Sequence, residues 1–261
     1  MASFTGSSIK DVYKDILHTS NSNTGIGSTI KQITCGDGDT TALHLSDRNL
    51  KIQPSTDSTT NTVIYDAGGN ALLTVDSTND LVKAGIGQHN VTTQYAHFGV
   101  GFDMATMNQN AHHAIPFNSS NGYMSDLLSF GSGTNPATSL TITDKAHTAT
   151  LAYWYIMDNL TIDRVIWWSG ADSSAEETTR CHLMEYDVDT GNTSTGGDLS
   201  NGVVLADGAD IVNAGYEQAY YQQMTIQQAN VNAGKVVLFT FRPDGVSADY
   251  SINVTIKYHL R

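Results

Sequence analysis

The sequence predicts a mainly β protein, in which a short N-terminal helix and a small β repeat module precede a C-terminal β-sandwich that is jelly-roll-like. Apolar runs of strand length, separated by turn residues, fill the second half of the chain. A strand-and-turn pattern occurs twice in residues 28–85. Only 15% of the residues are charged, against about 25% in ordinary soluble domains, so Ser, Thr, Asn, Gln and Gly supply most of the polarity.

The 261 residues are enough for one sandwich-sized domain and a smaller module. We predict an N-terminal helix and anchor over 1–27, a β repeat module over 28–85, a connecting region over 86–135 and a β-sandwich head domain over 136–261. The connecting region mixes aromatic and apolar residues with Gly, Asn and His, and we expect it to act as the hinge.

The N-terminal helix is predicted to begin at Ser8, a good N-cap that Asp11 completes as a capping box. A helix this short is marginal alone, so its apolar face must be covered by the rest of the domain or by a partner protein. We expect a partner. The predicted anchoring residues, which share one face at helical spacing, are Ile9, Val12, Tyr13, Ile16 and Leu17.

The repeat module contains two copies of one pattern about 30 residues apart, over 33–52 and 63–83. Each copy has the order strand, Gly/Asp turn, strand, polar turn, strand. Two such units are too few to bury a core by themselves. A neighbouring domain or identical units from other copies of the chain must complete the core, and symmetric self-association is the economical solution.

The C-terminal domain shows the strongest strand pattern. In residues 251–259, apolar and polar residues alternate, as in a strand with one solvated face. Residues 236–239 are apolar on both faces and predict a central strand. Seven or eight strands in about 120 residues favour a sandwich or jelly roll. The predicted strands are 140–143, 148–156, 161–168, 180–187, 222–228, 235–242 and 251–259.

The charge balance argues against several classes of partner. Lys and Arg total 13 and Asp and Glu total 26, which gives a net charge of −13. A chain this acidic repels nucleic-acid phosphates and anionic lipid, so we expect neither nucleic-acid binding nor membrane insertion. No apolar stretch approaches membrane-spanning length, and no signal peptide is expected.

We expect no enzyme, no catalytic residues and no cofactor, because the chain has no Gly-x-Ser-x-Gly elbow, phosphate-binding loop or dinucleotide fingerprint. Glu176, Glu177 and Glu185 are close enough in sequence to suggest a glycosidase pair, but the first two are adjacent in a loop typical of solvated surface. Cys35 and Cys181 are far apart, and we interpret them as two free thiols of a reducing compartment.

We also expect no metal site. His112 and His113 are adjacent, and adjacent residues of a strand point to opposite faces, so they rarely share one ion. Asp187 and Asp189 resemble the start of a calcium loop, but Asp-x-Asp-x-Gly is also ordinary turn chemistry between strands. Whether calcium binds there stays open.

Aromatic residues in the predicted strands are the candidate contact residues. Strand alternation places one of Trp167 and Trp168 inside and the other outside. The outer indole is able to stack on a sugar or to line a subunit contact, and core or interface is the favoured interpretation. Tyr220 and Tyr221 belong to a second amphipathic aromatic run that suits an interface.

The N-terminal region also carries a resemblance. DILHTSNSNTGI at 15–26 and GDGDTTALHLS at 36–46 resemble the opening of virion structural proteins of tailed bacteriophages, especially marine ones. The resemblance covers roughly the first 85 residues. It implies a chain located in the virion, an oligomeric and specifically trimeric appendage such as a tail fibre or head fibre. Its N-terminal part would contact other proteins of the capsid or tail, and its variable β-rich domain would face outward.

Three other functions compete with this expectation. A capsid-decorating or cement protein would stabilise the head. A carbohydrate-binding module would use Trp167 or Trp168 and a loop carboxylate to bind a host surface glycan during attachment. A glycan-cleaving spike ranks last, because this chain lacks the length and repeats of the long β-helices that such spikes carry.

Overall fold

The computed structural model describes residues 16–19, 25–103, 108–118, 123–124, 127–131, 140–143, 145–173, 176–191, 197–214 and 218–261. Over these ranges the protein consists of strands, turns and one short 3₁₀ helix at Thr150–Ala152. The mainly β class is therefore confirmed. The chain divides into two compact units, residues 1–91 and 92–261.

The first unit contains two four-stranded antiparallel sheets, and each sheet is a meander in which every strand pairs with the next. The two predicted repeat copies lie in these two meanders. The first meander comprises β1 (His18–Thr19), β2 (Lys31–Thr34), β3 (Thr40–Leu45) and β4 (Leu50–Ile52), and the second comprises β5 (Thr62–Tyr65), β6 (Ala71–Asp76), β7 (Leu81–Ala84) and β8 (His89–Asn90).

Local turn chemistry explains why the second meander folds in this register. Asp66 Oδ1 accepts the backbone N–H groups of Gly68 and Asn70, both at 2.8 Å. Gly69 has a φ of +83°, a left-handed conformation that favours glycine. These contacts close the β5–β6 hairpin in the way that Asx turns do. The Gly/Asp turn inferred from the sequence is thus present.

The second unit contains two further sheets, which pack face to face on one hydrophobic core. The front sheet has the order β11-β9-β21-β13-β17, and β19 also pairs with β13. Its strands are β9 (Thr93–Phe102), β11 (Tyr123–Met124), β13 (Leu160–Ala171), β17 (Ala219–Gln223), β19 (Asn230–Val231) and β21 (Tyr250–Leu260). All of its pairings are antiparallel except β11 with β9.

The back sheet has the order β10-β20-β14-β15-β18, with β12 paired to β20 and β16 paired to β14. All of its pairings are antiparallel. Its strands are β10 (His113–Ile115), β12 (Trp154–Tyr155), β14 (Thr178–Asp189), β15 (Asp198–Asp207), β16 (Ile211–Val212), β18 (Thr225–Ile226) and β20 (Val236–Pro243). Two sheets that are antiparallel except at the β11–β9 pairing, packed around a shared core, are compatible with the predicted β-sandwich.

The core between the two sheets is built around aromatic side chains. Phe241 of β20 contacts Phe102, Trp167 and Tyr250 of the front sheet, with ring centroids 5.5, 6.4 and 5.0 Å apart. A second apolar cluster covers the opposite face of the back sheet, where Met184 and other strand residues pack against residues of the 142–152 segment. The back sheet is therefore buried on both faces, whereas the outer face of the front sheet carries exposed and half-buried residues.

Several predicted boundaries differ from the structure. The connecting region predicted over 86–135 contains β9, which pairs with β21 over ten residues, and β10, which pairs with β20. The second unit therefore begins at residue 92 rather than 136. The strand predicted over 148–156 is instead the 3₁₀ helix followed by β12. β15 was not predicted, because its apolar residues are preceded by Ser, Asn and Gly.

The predicted N-terminal helix falls mostly outside the described residues, and so do Ile9, Val12 and Tyr13. Ile16 and Leu17 are described, and neither is helical. They lead directly into β1, whose pairing with β2 begins where His18 faces Thr34. That ladder requires an extended backbone, so a helix continuing through Leu17 was a wrong prediction.

Candidate functional site

An exposed aromatic pair stands on the outer face of the front sheet. Alternation along β13 places Trp167 in the core, 0% exposed, and Trp168 outside, 48% exposed. The register of β13 with β17 sets Trp168 opposite Tyr221, which is 52% exposed. The two ring centroids lie 4.9 Å apart with an interplanar angle of 56°. We call Trp168 and Tyr221 the aromatic platform.

A groove lies beside the platform on the same face. The next outward-facing row crosses four strands and consists of Gly101, Ser251, Gly170 and Ala219. No side chain in this row is larger than that of serine, so the row leaves an open groove of about 420 Å³. A methyl group at Gly170 would come within 2.6 Å of Ser251 Oγ, so the serine hydroxyl lies directly beside this glycine in the groove floor.

The rim of the groove is polar and acidic. Asp172, Gln218 and Asp249 line it. The backbone N–H of Asp249 donates to Asp172 Oδ1 at 2.8 Å, and the N–H of Asp172 donates to the carbonyl of Asp249 at 3.2 Å. These two bonds fix the Asp172 carboxylate at the end of the groove. No Lys, Arg or His is found among the described residues that line it.

The other two aromatic candidates are buried or partly buried. Trp167 Nε1 donates to Gln222 Oε1 at 3.2 Å, so the indole N–H has a hydrogen-bond partner on the neighbouring strand β17. Tyr220 is half-buried and packs against the core. The structure thus brings together Trp168 and Tyr221 and assigns Trp167 and Tyr220 to packing. Sequence reasoning missed the groove, because its floor comes from four separate strands.

A second candidate surface lies in the first unit. Strand pairing gives each meander one face that carries five apolar residues, whereas Val63, Leu72 and Leu81 lie on the opposite face of the second meander. Leu50 is 64% exposed and Ile64 is 53% exposed, and among the described apolar residues of this unit only Ile33 is buried. The meander faces comprise Ile33, Leu43, Leu45, Leu50 and Ile52 in the first sheet, and Ile64, Leu73, Val75, Val82 and Val91 in the second.

The glutamates considered for glycoside hydrolysis do not form a pair. Glu177 lies just before β14 and Glu185 lies eight residues further on, within it. At about 3.3 Å per strand residue they are roughly 26 Å apart, far beyond the roughly 5–9.5 Å of glycosidase carboxylates. Glu177 is buried and accepts the hydroxyl of Tyr250 at 2.8 Å, which is a structural role.

The aspartates considered for calcium lie within β14 rather than in a loop. Asp187 Oδ1 accepts Lys235 Nζ at 2.6 Å, and its Oδ2 accepts Asn201 Nδ2 at 2.8 Å. These hydrogen bonds, first from Lys235 and then from Asn201, lower the pKa of Asp187. Asp189 Oδ1 caps the N–H of Gly191 at 2.8 Å. Both carboxylates are thus engaged by donors of the protein itself.

The adjacent histidines have separate environments. The rings of His112 and His182 lie 5.1 Å apart on the outer face of the back sheet, and both residues are fully buried. His113 Nε2 lies 2.9 Å from the carbonyl of Asn108. Burial, and then repulsion by His112, holds the pKa of His182 well below its ordinary value of 6.5. Asp207 Oδ1 is 3.2 Å from His182 Nε2.

Both cysteines are free thiols. Cys181 is completely buried between the two sheets, and burial raises the pKa of its thiol well above the ordinary value. Cys35 is half-buried in the first unit. A thiol with a raised pKa is a poor nucleophile, so Cys181 acts as a small apolar side chain.

Comparison with known proteins gives no assignment. No protein-family model matches the chain. No curated protein matches it at a significant level. Within the described ranges, no helix is long and apolar enough to cross a membrane, and no cluster of three or more His, Cys, Asp or Glu side chains is placed to hold a metal ion.

Proposed function

We propose that the chain is a structural, non-enzymatic component of a tailed-phage virion, a homotrimeric surface appendage. In this proposal the first unit assembles with its copies and contacts other capsid or tail proteins, and the second unit faces outward and contributes to host attachment. The observation that carries the proposal is the pair of partly exposed apolar faces on the two meanders.

These faces favour self-association for an energetic reason. Four-stranded sheets of this size need a covered apolar face for independent stability. Burying a Leu or Ile side chain completely contributes about 1.5–3 kcal/mol, and Leu50, Ile52 and Ile64 are each at least 45% exposed. Identical copies present the same apolar faces around a symmetry axis, so association of the copies buries these faces.

Two finer features belong to the same proposal. We propose that the second unit is a jelly roll, because its first strand β9 pairs with its last strand β21, and the next pair inward is β10 with β20. Jelly rolls occur in both viral capsid and lectin domains, although a fold alone does not set a function. We also retain an N-terminal helical anchor that includes Ile9, Val12 and Tyr13.

The mass of the purified chain in solution tests the assembly. Light scattering should give about three times the chain mass of 28.1 kDa. Ile64→Lys places a charge on the apolar face of the second meander and should lower the mass to that of the monomer, because burying an unpaired charge is costly. Leu72→Lys is the matched control, since Leu72 is exposed on the opposite face of the same sheet.

A monomeric wild-type protein at micromolar concentration would overturn the proposal, and a dimer would overturn its trimeric form. Equal dissociation by Ile64→Lys and Leu72→Lys would contradict the role of the apolar face. Antibody labelling of intact particles then separates a tail or head fibre from a capsid-decorating protein, because decoration gives density at regular capsid positions.

A further inference from the structure

We propose that the aromatic platform, Trp168 with Tyr221, and the adjacent groove form a binding site for a neutral glycan. The inference deepens the proposed function, on which it rests for the outward placement of this face on the particle. It rests on two neighbouring features of one surface: an exposed aromatic pair, and a glycine-floored trough with a polar rim.

The platform supplies the apolar half of the contact. A pyranose ring presents C–H groups on its face, and these pack against the electron-rich face of an indole or phenol ring. Trp168 and Tyr221 are each about half exposed although they contact each other, so ring surface remains open to solvent. Gly170 and Ala219 lie two residues further along the same strands, roughly 7 Å away, so one chain of sugar rings spans both platform and groove.

The rim supplies the polar half. Sugar hydroxyls are donors and acceptors, and they match the Asp172 carboxylate, the Gln218 amide and the Ser251 hydroxyl. Backbone bonding with Asp249 already fixes the position of Asp172, so ordering it on binding costs little. A volume of about 420 Å³ lies within the range of about 300–1,000 Å³ that small-molecule sites occupy.

Charge selects the class of glycan. The lining includes two carboxylates, Asp172 and Asp249, and the whole chain carries a net charge of −13. An anionic sugar would bring a third negative charge close to this rim, and the described lining residues include no Lys, Arg or His to pair with it, which disfavours binding. The groove therefore fits neutral hexose or N-acetylhexosamine oligomers and discriminates against sialylated or sulfated ones.

The experiment presents the full chain to an array of neutral, sialylated and sulfated oligosaccharides, followed by calorimetry with the best neutral ligand. We expect binding to neutral probes. Trp168→Ala and Tyr221→Ala should each weaken it about tenfold or more, the loss typical of truncating a central aromatic anchor. Ser251→Phe, which fills the groove from an exposed position, should abolish it. Tyr155→Ala, at an exposed tyrosine of the back sheet, is the matched control and should bind normally.

Three results would overturn the glycan site. The first is the absence of binding to every neutral probe, the second is a Trp168→Ala protein that binds like the wild type, and the third is a preference for sulfated probes. Light scattering of the same variants separates the two proposals. Variants that lose glycan binding and stay trimeric support both, whereas variants that become monomeric identify this face as a subunit contact and overturn the glycan site.

Discussion

Tyr250 donates its hydroxyl to Oε2 of Glu177 at 2.8 Å inside the second unit. Asn213 Nδ2 lies 3.2 Å from the same hydroxyl, and the backbone N–H of Ser247 donates to Glu177 Oε1. Burial, and then the hydrogen bond to Glu177, raises the pKa of Tyr250. This buried carboxylate thus ties the loop before β21 to the start of β14.

Tyr250→Phe should destabilise the protein by about 1–3 kcal/mol, because it leaves a buried carboxylate with one donor fewer. Urea unfolding followed by circular dichroism measures the change. Tyr95→Phe is the control, since Tyr95 is exposed on the outer face of the front sheet and should change stability little. Equal stabilities for the two variants would show that the Glu177 contact contributes nothing.

Stability should fall on acidification because of His182. The pKa of His182 is 6.5 in the unfolded chain and lies well below 6.5 in the folded chain. At a pH between the folded and the unfolded pKa, the unfolded chain therefore binds a proton that the folded chain does not. The stabilising effect is complete above about pH 6.5 and is lost progressively below it. Between pH 7.5 and 5.5 we expect a loss of roughly 1 kcal/mol.

The measurement is the urea midpoint of the wild type and of His182→Gln across this pH range. His182→Gln should reduce the change of the urea midpoint with pH. His97→Gln, at an exposed histidine of β9, should leave it unchanged. A wild-type midpoint that rises on acidification would contradict the assignment of a neutral, buried His182. Arg180 and Arg242 lie near His182 and disfavour its protonation further.

Arg180→Lys should destabilise the back sheet by about 1 kcal/mol even though it preserves the charge. Arg180 donates Nε to Asp207 Oδ1 at 3.2 Å and Nη2 to Oδ2 at 2.8 Å, and Nη1 reaches Asp210 at 3.2 Å. Lysine cannot reproduce this two-pronged contact. Thermal unfolding of Arg180→Lys and of Arg48→Lys, whose side chain is largely exposed, tests the difference. Equal shifts in both variants would refute it.

Gly202→Ala should destabilise the second unit by about 1–3 kcal/mol through overpacking. A Cβ at this position would lie 2.7 Å from Tyr186 Cε1 and 2.8 Å from both Cα and O of Leu140, and the backbone atoms cannot move aside cheaply. Gly27→Ala is the control, because no atom lies within 4 Å of the added methyl group. Chemical denaturation compares the free energies of unfolding of the two variants. A Gly202→Ala protein as stable as the wild type would mean that the 140–143 segment moves aside at little cost.

The parts of the fold that follow local rules were predictable. The turn at Asp66 and Gly69 carries its own hydrogen bonds, so the repeat was visible in the sequence. Alternation placed Trp167 inside and Trp168 outside. β9 was missed, because Gly99 and Gly101 interrupt its apolar pattern. Gly99 lies close to the neighbouring strand, since a Cβ there would lie 3.1 Å from the Ile252 carbonyl oxygen, a tight contact.

The candidate site was predictable only in part. Trp168 and Tyr221 were recognisable as aromatic residues of strand segments, but 53 positions separate them in sequence. Their contact depends on the register of β13 with β17, which long-range packing decides. The groove depends on Gly170 and Ser251 as well, and glycines in a strand give no sequence signal of the void that they create.

The inside–outside alternation at Trp167 and Trp168 has an optical consequence. The chain has three tryptophans. Trp154 and Trp167 are shielded by the core, and Trp168 alone is substantially exposed. A collisional quencher such as iodide therefore reaches one indole of three, and that indole belongs to the platform. A ligand that binds on this face should therefore protect Trp168 from the quencher and leave the emission of the other two tryptophans unchanged.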